Sequence, residues 1–285
     1  MFQKNSFYKI MYCLFVAVSI LSCNTKDGKN NTVKKQHQIT SLDSVKLKEY
    51  LEKSGRVPLF SKERQQYLDS VLQIDPENAY YWQQKAMPLY KARKYSLGKP
   101  FLAKAVLYNP EKYLDYSAFM KCIFSKEYEE SIREFLECKE RFGDSYVMDH
   151  TYNFYIALNY LQLNKFKEAK VFLLKSKAQQ VSDFPKDLPE EAFHFLDWFY
   201  LGIADYELGN YKEAITSFDM SLKVQTSFAD AMWYEAICLM NIGEKEAAKA
   251  LIIEMQNNKE SSIMEANSYY EIYPYQIYHK LHTAH

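Results

Sequence analysis

The residues whose types and spacing come closest to a reactive set are His279, His282 and His285. On a helix, steps of three place their imidazoles on neighbouring positions of one side, and imidazole suits zinc, nickel or copper. His285 is the last residue, however, where helical turns fray, so no metal site is assigned there. The remaining histidines, His37, His150 and His194, are scattered. The chain contains no HExxH, no glycine-rich phosphate loop and no GxSxG, the patterns that bring a metal, a phosphate or an activated serine into play. Paired acids such as Glu129-Glu130 and Glu190-Glu191 fall where helices show solvent and read as charged faces. Without converging nucleophile, base and ligand, neither an enzymatic activity nor a cofactor is expected.

Cysteine supplies the one chemical step the sequence does suggest. Lys4 and Lys9 precede an apolar run, Ile10 to Leu21. That run is shorter than the ~20 residues a spanning helix needs, and it reads as the core of an export signal over residues 1–22. It ends in Ile20-Leu21-Ser22-Cys23, which resembles the lipobox of bacterial lipoproteins. The resemblance implies that the Cys23 thiol accepts a diacylglyceryl group before cleavage. At ~0.8 kcal/mol per buried methylene, several acyl chains hold a protein on a membrane. Cys13 lies in the leader, leaving Cys122, Cys138 and Cys238 with no CxxC spacing. They read as small buried hydrophobes, with a Cys122–Cys138 bridge as the alternative in an oxidising compartment.

Charge argues against nucleic acid. The 36 basic and 36 acidic residues balance, and removal of residues 1–22 leaves a net charge of −2, so no basic field faces a phosphate backbone. With 48% hydrophobic residues in 285, a sizeable core is available. Seven glycines and eight prolines offer little of the turn chemistry a many-stranded fold requires. The class expected is all-α.

The elements that would position any site repeat with a period of 34 residues. Aligning Phe195 with Ala229 sets Trp198 on Met232, Gly202 on Ala236, Gly209 on Gly243, Ala214 on Ala248 and Phe218 on Ile252. Trp198, Leu201-Gly202, Tyr206, Gly209-Asn210-Tyr211, Glu213-Ala214 and Phe218 resemble the tetratricopeptide-repeat (TPR) pattern. In that reading Gly202 and Ala214 let two antiparallel helices approach, and Gly209 sits in the turn at positive φ. Weaker copies run from His150 to about Lys177, with Ala157, Ala169 and Phe166 in the turn, and from Ala79 to Lys112, with Gly98 in place of the second alanine. Tyr113 to Ser145 fits only if its hairpin turn is one residue short.

The expected organisation is a leader at 1–22 and a flexible tether at 23–40. N-terminal helices or a partial repeat follow at 41–78, with Ser41 as a cap and Leu42, Val45, Leu47 and Leu51 on one face. An α-solenoid of about five repeats fills 79–260, with an insertion at 179–189, and a capping helix or tail occupies 261–285.

The TPR resemblance further implies a concave groove lined by the first helix of each unit. Carried over by repeat position, its lining is Tyr80, Gln83, Met87, Tyr90 and Lys91, then Thr151, Phe154, Leu158, Leu161 and Gln162. Leu196, Phe199, Ile203, Tyr206 and Glu207 follow, and last Asp230, Trp233, Ile237, Met240 and Asn241. Chaperone-binding members place lysine and asparagine where this chain has Phe154, Phe199 and Trp233, so a hydrophobic peptide or helix is the guest expected. A scaffold for a protein or peptide partner in the bacterial envelope, Bacteroidota-like and lipid-anchored on the outer membrane, is the function implied. A glycan- or small-ligand-binding lipoprotein is the alternative.

Overall fold

The computed structural model describes residues 39–188, 192–257, 263 and 271–276. The leader, Cys23, most of the tether, His37 and His279/282/285 lie outside the described residues. So does most of the segment 261–285 in which a capping helix or tail was expected.

The described chain is a stack of helical hairpins. The pairs are α1 (Ser41–Arg56) with α2 (Lys62–Ile74), α3 (Ala79–Lys91) with α4 (Tyr95–Tyr108), and α5 (Pro110–Met120) with α6 (Tyr128–Phe142). They continue as α7 (Tyr152–Gln162) with α8 (Phe166–Asp183), α9 (Phe195–Glu207) with α10 (Tyr211–Val224), and α11 (Ala229–Asn241) with α12 (Lys245–Asn257). Each helix packs most heavily on its hairpin partner and next on the following unit, so the core is continuous along the stack. Among the described residues no helix is long and apolar enough to cross a membrane.

Small residues decide where the helices cross. A Cβ on Gly202 of α9 would lie 2.5 Å from the Phe218 ring of α10, and one on Gly98 of α4 would lie 2.7 Å from the Tyr90 ring of α3. Ala157, Ala169, Ala214, Ala236 and Ala248 are all fully buried, as close approach of two backbones requires. Each hairpin turn from α3 onward passes through one left-handed residue, in order Arg93, Lys126, Asn164, Gly209 and Gly243. Phe166, expected in a turn, instead opens α8, and the turn residue is Asn164.

Three local departures have physical causes. A π-helical turn, Lys121–Ser125, follows α5, and the turn residue Lys126 comes 33 residues after Arg93, so this hairpin does read one residue short. Helix α8 runs to Asp183 because no breaker intervenes before Pro185, so residues 179–183 of the expected insertion are helical. Thr40, not Ser41, caps α1, through a reciprocal pair with Asp43. Of the apolar face expected on α1, Leu47 is buried while Leu42 and Val45 are exposed. A first helix has a neighbour on one side only.

A two-stranded ribbon, β1 (Tyr146–Val147) and β2 (His150–Thr151), joins α6 to α7. Its two-residue turn, Met148-Asp149, has positive φ at both positions, the geometry that matches strand twist.

Candidate functional site: the inner face and a histidine pair

The first helices of the later units touch one another along the stack, and α9 and α11 together form an inner face. Residues near the end of the chain lie on it. The Tyr200 hydroxyl donates to the Pro274 carbonyl at 2.9 Å, and the Tyr275 hydroxyl donates to Glu207 Oε1 at 2.7 Å. The Tyr275 ring meets Tyr234 edge-on at 6.0 Å. Lys126 Nζ donates to the Ile272 carbonyl at 2.6 Å, and the Ile263 amide donates to Asp230 Oδ2 at 2.9 Å. Gln276 Nε2 closes the segment on itself by donating to the Ile263 carbonyl at 2.8 Å. Ile263, Glu271 and Tyr273 are buried. Burial, followed by the Glu207 carboxylate, pushes the Tyr275 phenol far above its ordinary range, so it stays a donor.

This arrangement corrects the expected groove lining. Tyr90, Phe154, Leu158, Leu161, Phe199 and Ile203 are buried in the core, each at most 1% exposed. Phe199, for example, packs on Phe218 and Phe228. The face that meets the terminal segment is centred one residue later, on Tyr200 and Tyr234. Since a helix turns about 100° per residue, a one-position error moves a side chain from face to core. Gln83, Met87, Tyr206 and Ile237 are half-buried, while Tyr80, Trp233 and Met240 remain exposed. Glu207 and Asp230 do lie on the inner face, engaged by the chain itself. Described residues 271–276 form no helix, so here the covering segment is a strap.

A second constellation was not anticipated. His150 and His194, 44 residues apart, stand edge to face with ring centroids at 4.8 Å. Both sit where a unit begins: His150 precedes Thr151, the N-cap of α7, and His194 is the N-cap of α9, its Nδ1 accepting from the Leu196 amide at 3.2 Å. Equivalent positions of adjacent units are neighbours in a solenoid, so the pairing was readable once the extra residues after α8 were added to the period. Asp197, in the first turn of α9, faces the pair with its Oδ2 4.0 Å from His150 Nδ1. Its Oδ1 accepts from Ser176 Oγ at 2.6 Å, and that hydroxyl also meets Thr151 Oγ1 at 2.7 Å and Gln180 Nε2 at 3.0 Å. Burial pushes the Asp197 carboxyl up to about 6, against the nearby imidazole and hydroxyl. A cavity of about 560 Å³ opens beside this cluster, lined by Tyr146, Met148, Asp149, Gln180, Asp187 and His194.

Cys122, Cys138 and Cys238 are free and buried, so the alternative of a Cys122–Cys138 bridge is not realised. Burial pushes each thiol up to about 12, which leaves them unreactive.

No protein-family model and no curated protein matches this chain. Solved structures do. PilW, described as a widely conserved type IV pilus biogenesis factor, aligns with a TM-score of 0.58 at 15% identity, over 77% of this chain and 94% of that one. A tetratricopeptide repeat protein from Parabacteroides merdae aligns at 0.58 with 14% identity, over 75% and 80%. Pseudomonas aeruginosa PilF aligns at 0.51 with 16% identity, over 76% and 96%. The chain has the fold of these proteins: it is an all-α solenoid of TPR hairpins.

Proposed function

We propose that this chain is a lipid-anchored scaffold of the bacterial cell envelope, held on the outer membrane through Cys23, whose work is to bind a protein partner and not to transform a substrate. One observation carries the binding half of this reading. The inner face already grips a peptide segment, 271–276, that turns at Pro274-Tyr275, using side chains from three units: Tyr200 and Glu207 from α9, Tyr234 from α11 and Lys126 from the turn before α6. A face that recognises main-chain carbonyls and tyrosine in its own chain has the chemistry to take a tyrosine-bearing peptide from another.

The exposed ends of the array supply surface for such a partner, with Tyr80 at 48% exposure on α3 and Trp233 and Met240 on α11. Aromatic anchors of this kind carry much of the affinity at protein interfaces. The anchoring half rests on Ile20-Leu21-Ser22-Cys23 and the short apolar run before it.

The test has two arms. Cys23→Ala is expected to abolish incorporation of labelled fatty acid and to shift the protein out of the membrane fraction. Affinity capture from solubilised envelopes, comparing the lipidated protein with a Tyr80→Ala/Trp233→Ala variant, is expected to lose one protein partner. Retention of every partner by the double variant, with circular dichroism unchanged, refutes Tyr80 and Trp233 as partner anchors. Membrane association that survives Cys23→Ala refutes the anchor.

A further inference from the structure

We propose that His150, His194 and Asp197 form a binding site for a divalent first-row transition metal ion, zinc being the ion of choice. The donors come from two adjacent units, and one ligand atom from each residue lies within 4.8 Å of the others. Two imidazoles and one carboxylate are the donor set of many zinc sites that keep a fourth position open, and nitrogen donors select zinc, copper or nickel over magnesium or calcium.

A second observation points the same way. Asp197 is 1% exposed, and its Oδ2 has no hydrogen-bond partner although it is turned toward the His150 ring. A buried carboxylate oxygen left without a donor is costly, and a cation between it and the imidazoles removes that cost. Its other oxygen is already held by Ser176, which Gln180 and Thr151 hold in turn. That is the outer layer of hydrogen bonds that orients a metal-binding carboxylate. The cavity reaching His194 and Gln180 gives the ion an entry path and a place for a water or another donor as fourth ligand.

Zinc–nitrogen and zinc–oxygen bonds of ~2.0–2.1 Å put tetrahedral donors ~3.3 Å apart, so the three groups draw in by roughly 1 Å on binding. A neutral imidazole has one free lone pair, and His194 now spends its own on the Leu196 amide. Metal binding therefore releases that cap, and the amide of Leu196 reports it.

The experiment uses the mature chain carrying His37→Gln, His279→Gln, His282→Gln and His285→Gln, which removes the histidines outside this cluster. Zinc is titrated against a chromophoric chelator, cobalt(II) is added as a spectroscopic probe, and the Leu196 amide is followed by NMR. One equivalent of metal is expected, with the visible absorption of tetrahedral cobalt and a shifted Leu196 resonance. His194→Ala and Asp197→Asn are each expected to lower affinity at least 10-fold, and Ser176→Ala by roughly 10-fold. Circular dichroism identifies any variant that fails to fold; half-buried His194 is the replacement best tolerated. No zinc binding by the parent, or binding unchanged in folded His194→Ala, overturns the proposal.

Discussion

Hairpins α3/α4 and α9/α10 each set a glycine against a large ring, but at different positions of the repeat. In α9/α10 Gly202 meets Phe218, and the matching positions of α3/α4 hold Ala86 and Leu102. In α3/α4 Gly98 meets Tyr90, where α9/α10 carries Ala214 and Tyr206. At both glycine contacts one helix brings a large ring to the crossing and the other gives up its Cβ. The repeat conserves the space between two helices, and residue identity follows from how that space is shared.

Gly202→Ala is the strongest way to break this equivalence. Its Cβ would sit 2.5 Å from a fully buried Phe218 ring, so a loss of about 3 kcal/mol is expected in urea unfolding. Adding Phe218→Leu reproduces the residue pair Ala86/Leu102 of α3/α4 and is expected to recover more than half of that loss. No recovery would mean that the two hairpins are not interchangeable at this contact. Gly98→Ala meets Tyr90 at 2.7 Å and is expected to cost about 2 kcal/mol, because a residue in the first turn of α4 has more room to shift.

The seventh position of the unit sharpens the comparison through charge. It holds Lys85 in α3, paired with Asp69 at 2.6 Å, Leu201 in α9, and Glu235 in α11. Glu235 is buried, with one carboxylate oxygen making no hydrogen bond. Burial, aided by Asp219 and Glu254, pushes its carboxyl up to about 7. The folded chain thus holds this proton more tightly than the unfolded one. Its stabilising effect is complete below about 4.5 and is lost as pH rises through about 7. Glu235→Gln is expected to flatten the stability profile across that window and to gain on the order of 1 kcal/mol at pH 8, after allowance for solvent screening. Thermal melts at pH 5 and pH 8 check it, and an unchanged slope contradicts it.

The smallest effect concerns the turns. Gly209→Ala and Gly243→Ala force a Cβ into φ of +76° and +92° and should each cost about 1 kcal/mol. Asn164→Gly, at φ +56°, should change stability by only a few tenths, since asparagine tolerates this region.

The turns also explain what the sequence disclosed. Gly209 and Gly243 mark their hairpins openly, and with Gly202, Ala214 and Ala248 they made the last two units legible, because a close crossing leaves room for a small residue and little else. Upstream, Arg93 and Lys126 adopt the same backbone without a glycine to announce it, so those units read as weak copies. The inner face was misplaced because large residues occupy both the fifth and sixth positions of the unit, Phe199 with Tyr200 and Trp233 with Tyr234, and only packing decides between them. His150 and His194 were read as scattered because the extra residues after α8 hide their shared place in the period. The strap carries no periodic signal; its tyrosines became informative only beside Tyr200, Glu207 and Tyr234.

In a simple solenoid each hairpin can form as soon as its neighbour exists, since every contact is local along the chain. The bond from Lys126 to Ile272 joins residues 146 positions apart. That clasp must wait for the ribosome to deliver residue 272, long after the hairpin bearing Lys126 has emerged. An array that would otherwise assemble from the front is locked from the rear, and a cut anywhere between α12 and the strap would leave the hairpins standing but unfastened.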